Sequence, residues 1–306
     1  MVSPAPAPAL PGISPGLQAR LDAGLAAVEA MLHARVDHDD PFIAEANAHL
    51  LAAGGKRFRP LLTLLAAELG DGINDDVIAA AAGVELTHLA SLYHDDVMDD
   101  ASTRRGVPSA NAKYDNSTAI LVGDLLFGTA SDIIADLGPE AVKIQSQTFI
   151  RLCSGQIRDD RHCPPGADPH EYYLDVLADK TGVLIATAAR YGALLSGCSR
   201  ELIATLIEYG ERIGVAFQLA DDLIDVSSEI DVLGKAPGTD IREGKRTLPI
   251  IYALASTDPA DARLQDLLRV VEPSDEQVAE MLALLRPHTA MQRAQEETDA
   301  VAAGAK

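Results

Sequence analysis

From Leu17 onward the apolar residues of this chain recur at three- and four-residue intervals, and almost nowhere do they alternate one by one. A half-buried strand needs alternation, because successive side chains point to opposite faces; a helix with one buried face needs the wider spacing. Long Ala/Leu/Ile-rich stretches, no Trp and only 4% aromatic residues point the same way. The spacing predicts an all-α protein, with helices over residues 17–31, 42–53, 58–69, 74–99, 109–115, 117–136, 139–161, 170–196 and 199–229. Shorter helices are expected at 248–256, 259–271 and 274–286, and a polar helical stretch leads to the end. Gly54-Gly55, Gly70 to Gly72, Gly106-Val107-Pro108 and Gly138-Pro139 punctuate the series.

No interval invites a domain boundary, so residues 17–306 are expected to form one domain after a disordered Pro/Ala leader over 1–16. That leader has no basic region feeding an apolar run and is no secretory signal. The most apolar stretch, Ala119 to Ala130, is shorter than a bilayer requires and contains Asp124, so no transmembrane helix is expected and the acid is assigned a buried structural role. A formal charge of −21 excludes general attraction to nucleic acid or to an anionic membrane surface. Cys153, Cys163 and Cys198 are odd in number and widely spaced; they read as reduced, mostly buried thiols of a cytoplasmic protein. The segment Asp231 to Pro249, rich in Gly, Pro and charge without an apolar period, reads as a mobile, exposed loop of the kind that carries function.

Two acidic motifs stand out. Asp95-Asp96-Val97-Met98-Asp99 closes a long apolar helical stretch, and Asp221-Asp222-Leu223-Ile224-Asp225 repeats the spacing at the end of another. Carboxylates four apart share one helix face and repel each other unless a cation sits between them. Magnesium uses few protein carboxylates, keeps its waters and shares its shell with substrate phosphates, so such pairs suit a diphosphate-bound ion. Facing each other, the two motifs would make a metal clamp. Either motif alone is equally readable as a solvated acidic helix end.

A second constellation is basic: Lys56, Arg57 and Arg59 in GGKRFRP, Arg104-Arg105-Gly106 directly after the first acidic motif, then Lys180, Lys235 and Lys245. Arg offers phosphate a planar fork and Lys a mobile point charge. Gly54-Gly55 lets the backbone come close to an anion. The alternative for Arg104-Arg105 is an ion pair with Asp99 or Asp100. His88 stands seven residues, two helical turns, before Asp95 and shares its face.

In order, GGKRFRP, His88, DDVMD followed by RRG, Lys180-Thr181, FQLADDLID and the GKAPGTDIREGKRTLP segment resemble the trans-prenyl diphosphate synthases over roughly residues 40–250. The resemblance implies the isoprenoid synthase fold, a single-domain helical bundle around a central cavity, and a homodimer. It implies a magnesium-dependent prenyl transferase that condenses isopentenyl diphosphate with an allylic diphosphate. The metal ligands would be Asp95, Asp99 and Asp221, supported by Asp96, Asp222 and Asp225. Isopentenyl diphosphate would bind Lys56, Arg59, His88 and Arg105. The allylic diphosphate would meet Arg104, Lys180, Thr181, Gln218, Lys235 and Lys245, with Thr181 and Gln218 aiming dipoles at the developing cation.

The growing chain would run along the first aspartate helix, past Ala90 and Ser91, where short-product members of the family carry bulky aromatic residues. Both positions are small here, so a long all-trans product of about C30–C50 is expected, at about 1.5 Å of depth per residue. The wording around the first motif looks most like bacterial menaquinone-type synthases of heptaprenyl to nonaprenyl products. A shorter-chain synthase, a non-catalytic subunit of a heteromeric synthase and a class I terpene cyclase are the alternatives; the isopentenyl diphosphate residues weigh against the cyclase. Family chains continue past the position of Lys306, so the C-terminal end is expected to be missing.

Overall fold

The computed structural model describes residues 11–161, 163–227 and 237–305. The first ten residues of the leader expected over 1–16 and Lys235 lie outside them; the end of that leader is ordered, with Ile13 packed on the core and Pro15 already helical. The chain packs as two compact units, residues 1–149 with 184–210, and residues 150–183 with 211–306.

In the first unit, α1 (Pro15–Val36), α2 (Pro41–Ala52), α3 (Phe58–Ala67) and α4 (Asp75–Met98) follow in order. Their starts are set by side chains that accept the orphan N–H groups of the first turn: Ser14 for α1, Asp40 for α2 and Asn74 for α4. A two-stranded ribbon, β1 (Thr103–Arg104) with β2 (Val107–Pro108), pairs Arg104 with Val107. Its turn is Arg105-Gly106, both with positive φ (53° and 79°), the geometry that fits the twist of a tight hairpin. After the short α5 (Ala110–Lys113) come α6 (Asn116–Ala135) and α7 (Pro139–Asp159), whose residues from Ile150 belong to the second unit.

The centre of this unit is a layer of Leu32, Leu50, Leu86, Leu89, Ala90, Tyr93, Leu126 and Ile133. Small residues set its spacing: a Cβ on Gly83 of α4 would stand 2.9 Å from Ile134 of α6. A helix over 20 residues with mean hydropathy 1.5, α6 is by length and composition able to cross a membrane. One of its faces packs on α4, and Asp124 lies at the rim of that contact, largely exposed and 3.3 Å from His94 Nε2 of α4, so the buried role expected of that acid does not hold.

In the second unit α8 (Pro169–Leu177) is capped by Asp168 and runs into a π-helical turn, Ala178–Gly182. Next come α9 (Val183–Leu195), whose residues from Leu184 belong to the first unit, and α10 (Arg200–Ser227), which enters the second unit at Glu211. Then follow α11 (Thr239–Arg242), α12 (Leu248–Leu254), α13 (Ala262–Leu267), α14 (Asp275–Leu285) and α15 (Thr289–Gly304). Their core joins Tyr173, Leu219, Leu223, Leu248, Ile251, Met281 and Leu285. The expected loop to Pro249 is therefore partly structured: Ile241, Thr247, Leu248 and Pro249 are buried. Among the described residues the three cysteines are unpaired, as expected, but none is buried; Cys153 is exposed.

Candidate active site

The first unit gathers cations around the start of α3. Arg57 caps that helix in the left-handed conformation (φ 48°), and Arg105 holds the same conformation (φ 53°) in the ribbon turn. Non-glycine residues adopt it at a cost of order 1 kcal/mol, so the surroundings must fix it. They do: Arg57 is bidentate on Glu29 (2.8 and 3.0 Å) and also donates to Glu85 (3.2 Å). Arg105 donates to the carbonyls of Leu50 (3.0 Å) and Gly54. The side chain of Glu85 is 3% exposed and lies near Arg59 and Arg105 as well, a single buried counter-charge for three guanidinium groups. Arg59 keeps a buried Nε that makes no hydrogen bond within the described chain. His88 faces this cluster; burial, then Arg59, Arg105, Arg104 and Arg57, hold its ring well below the usual imidazole range, so it is neutral at physiological pH.

At the end of α4, Asp96 is fully buried and accepts from Arg104 Nε at 2.6 Å. The acid that Arg104 meets is thus Asp96, not the Asp99 or Asp100 of the alternative reading. Asp95 and Asp99 lie one turn apart, Asp99 exposed. Tyr93 turns away, its hydroxyl donating to the Ala46 carbonyl at 2.6 Å.

The second unit holds a separate group of charged and polar side chains. Lys180 and Thr181 lie in the π turn, a distortion frequent at functional sites. Gly155 makes room for it: a Cβ there would sit 2.6 Å from the Lys180 nitrogen. Lys180 Nζ and Lys245 Nζ converge on one carboxylate oxygen of Asp159, at 2.6 and 2.9 Å, and Lys245 also reaches Asp160 at 3.2 Å. Burial pushes the Asp159 carboxyl up, but the two ammonium groups outweigh it and hold it below the usual carboxylate range.

Beside them runs a hydrogen-bonded relay. Thr181 Oγ1 donates to Gln218 Oε1 (3.2 Å), Gln218 Nε2 to Asp222 (3.1 Å), and the Tyr173 hydroxyl to the other oxygen of Asp222. Asp222 is buried, and burial lifts its carboxyl to about 6 against those two donors. Asp225 accepts from the backbone N–H groups of Thr239 and Asp240, tying α10 to α11. Asp221 is exposed.

Among the described residues no three His, Cys, Asp or Glu side chains are grouped closely enough to hold a metal by themselves. A divalent ion here would need substrate oxygens to complete its shell, as magnesium does with phosphates. Asp95, Asp99 and Asp221 fit that chemistry, being hard oxygen donors that keep accessible surface.

A family model described as polyprenyl synthetase matches residues 40–285. The chain belongs to the polyprenyl synthetase family. A nonaprenyl diphosphate synthase of Mycobacterium tuberculosis is 45% identical over 305 residues, covering 98% of this chain and 91% of that one. A dimethylallyltranstransferase of the same organism is 38% identical over 97% and 91% of the two chains. Among solved structures, geranylgeranyl pyrophosphate synthase from Corynebacterium glutamicum, complexed with calcium and isoprenyl diphosphate, superposes with TM-score 0.84 at 42% identity, covering 95% and 90%.

This member of the polyprenyl synthetase family is thus a prenyl transferase with the isoprenoid synthase fold, as the resemblance implied. Of the residues singled out by sequence, Arg59, His88 and Arg105 share one cluster, and Lys180, Thr181, Gln218, Asp222 and Lys245 another. Sequence reasoning missed Glu29, Glu85, Asp159 and Tyr173. The first three are acids in an acidic chain and carry no motif; Tyr173 sits in an ordinary amphipathic helix. Only contact across many residues of sequence marks them.

Proposed function

We propose that this polyprenyl synthetase condenses isopentenyl diphosphate with an allylic diphosphate repeatedly, giving a long all-trans product of the heptaprenyl to nonaprenyl class for a quinone side chain, and that it acts as a homodimer. The observation that carries the diphosphate chemistry is the convergence of Lys180 and Lys245 on Asp159, two cations held ready by one carboxylate. The small pair Ala90-Ser91 and the similarity to a nonaprenyl synthase support the product length.

Lys56, Arg59, His88 and Arg105 bind the diphosphate of isopentenyl diphosphate; neutral His88 donates a hydrogen bond there without adding charge. Arg104, Lys180, Lys235 and Lys245 bind the allylic diphosphate. Asp95, Asp99 and Asp221 hold magnesium, while Asp96, Asp222 and Asp225 orient the helix ends through Arg104, Tyr173, Gln218 and the α11 backbone. Bound magnesium supplies Lewis-acid stabilisation of the leaving diphosphate. Thr181 and Gln218, fixed by their mutual hydrogen bond, present oriented dipoles to the allylic carbon as positive charge develops, which costs no reorganisation at the moment of reaction. The isopentenyl double bond attacks that carbon, and the proton lost afterwards leaves with the departing diphosphate. The presence of both cation clusters and the full carboxylate set favours a catalytic chain over a non-catalytic partner subunit.

The test is incubation with farnesyl and isopentenyl diphosphates and magnesium, followed by mass analysis of the dephosphorylated alcohols. Products longer than geranylgeraniol are expected, and none in excess chelator. Geranylgeraniol or farnesol as sole product would refute the long-chain reading, and no condensation at all would refute prenyl transfer by this chain alone.

A further inference from the structure

The π turn at Ala178–Gly182 closes with the Val183 N–H donating to the Ala178 carbonyl, and Lys180 lies inside it. Such a turn holds one residue more than an α-helical one and is rare, so its neighbours must favour it. Regularising it to α-helix would rotate the residues on one side against those on the other by about 100°. Thr181 has an anchor of its own in Gln218, but the long stem of Lys180 points wherever the turn aims it.

Glycine on both flanks lets backbone close in on the turn. A Cβ at Gly155 of α7 would stand 2.6 Å from the Lys180 nitrogen and 2.8 Å from the Asp179 carbonyl carbon. A Cβ at Gly182 would stand 3.1 Å from the Glu211 carbonyl oxygen of α10. These contacts set distance, and charge sets rotation. Asp179, next to Lys180 in the turn, accepts from two guanidinium groups of α7, Arg151 Nε at 2.8 Å and Arg158 at 3.3 Å. The other arm of Arg151 donates to Glu211, two helical turns before Gln218.

Arg151, Gly155, Arg158 and Asp159 stand at i, i+4, i+7 and i+8, one face of α7, and all these groups belong to the second unit. A single helix face thus grips Asp179 through two arginines and Lys180 through Asp159. With 41% of its side chain exposed, Arg151 adds little stability as an ion pair. A planar fork that bridges two acids adds direction instead.

We infer that Arg151 is a positioning residue for prenyl transfer: by bridging Asp179 and Glu211 it fixes the rotation of the π turn and aims Lys180 Nζ at the allylic diphosphate. This role rests on the proposed contact between Lys180 and that diphosphate. Arg151 itself touches no substrate; it acts through Lys180.

The experiment is initial-rate kinetics of the full chain with farnesyl and isopentenyl diphosphates for Arg151→Gln, Arg151→Lys, Lys180→Ala and the combination of Arg151→Gln with Lys180→Ala, beside thermal unfolding. Arg151→Gln is expected to lose roughly tenfold in kcat/KM for farnesyl diphosphate, the scale of a small misplacement of a reacting group. Its KM for isopentenyl diphosphate is expected to hold, and its melting temperature to stay within about 2 °C of wild type. Arg151→Lys, which keeps a charge but not the fork, is expected to fall in between. In the Lys180→Ala background the Arg151 substitution is expected to cost about twofold or less, because the group it aims is gone. Asp179→Asn takes its place in the same cycle if Arg151→Gln fails to fold by circular dichroism. A folded Arg151→Gln with kinetics like wild type, an equal rise in both KM values, or fully multiplicative losses in the combined variant would overturn the role. Lys180→Ala with wild-type kinetics would fail the underlying contact of Lys180 with the allylic diphosphate, and the role of Arg151 with it.

Discussion

Replacing Asp159 by Asn keeps the shape of the side chain and removes its charge from between Lys180 and Lys245. The contacts are short, 2.6 and 2.9 Å, and the Asp159 side chain is only 15% exposed. Breaking a buried ion pair by removing one partner costs about 3–5 kcal/mol, because the other charge is left uncompensated. Here the figure must be discounted, since Lys180 keeps 30% of its side-chain surface in water and Lys245 retains Asp160 at 3.2 Å. A loss of about 2 kcal/mol follows, or about 3 °C in melting temperature for a chain of 306 residues. The assay is thermal unfolding at low salt and in 1 M sodium chloride, where screening acts over roughly 3 Å. Buried pairs resist that screening, so the difference from wild type is expected to persist. The same variant is expected to lose about tenfold in kcat/KM for the allylic diphosphate, as one charge-assisted hydrogen bond worth about 1.5–3 kcal/mol is misaligned. Two results would refute the reasoning: a destabilisation below about 0.5 kcal/mol, or a lower KM for the allylic substrate, which would make Asp159 a competitor of the diphosphate and not its organiser.

Three further outcomes are expected. His88 has a native pKa depressed below its unfolded value of about 6.5, so the unfolded chain binds the extra proton first. The contribution is absent above that value, and stability is lost as pH falls through it, by at most about 1.4 kcal/mol per pH unit; urea titrations at stepped pH should show His88→Gln flattening that slope, and an unchanged slope would count against a buried neutral imidazole. Glu85→Gln leaves Arg59 and Arg105 without their buried counter-charge while Arg57 keeps Glu29, so a loss of about 2 kcal/mol and a raised KM for isopentenyl diphosphate are expected from melting and initial rates. Ala90→Phe adds a ring five residues before Asp95 and is expected to shorten the main product by mass analysis; an unchanged length would show that the chain takes another path.

The helical class was legible because a buried helix face must repeat near every third or fourth residue, and the chain obeys that rule almost throughout. Apolar spacing placed several helix starts within a residue or two, as at Pro15, Pro41 and Pro169 against the expected 17, 42 and 170. The π turn at Ala178–Gly182 was not legible, since it conserves the apolar pattern and differs only by one extra residue in a hydrogen-bonded ring. Burial of Asp124 and of the cysteines was misjudged for a related reason: an apolar neighbourhood in sequence does not say on which face of a helix a residue lies.

For the site, the sequence by itself determined which residue types bring charge: the two aspartate motifs, GGKRFRP, Arg104-Arg105 and the lysines, each a local pattern with its own chemistry. Tertiary structure alone decided how those charges are held. Glu85 serves three arginines from a different helix, Asp159 holds Lys180 from 21 positions away and Lys245 from 86, and Phe127 meets Phe149 between two helices. Charge and aromatic contact act through space over a few ångströms, whereas a motif records only neighbours along the chain.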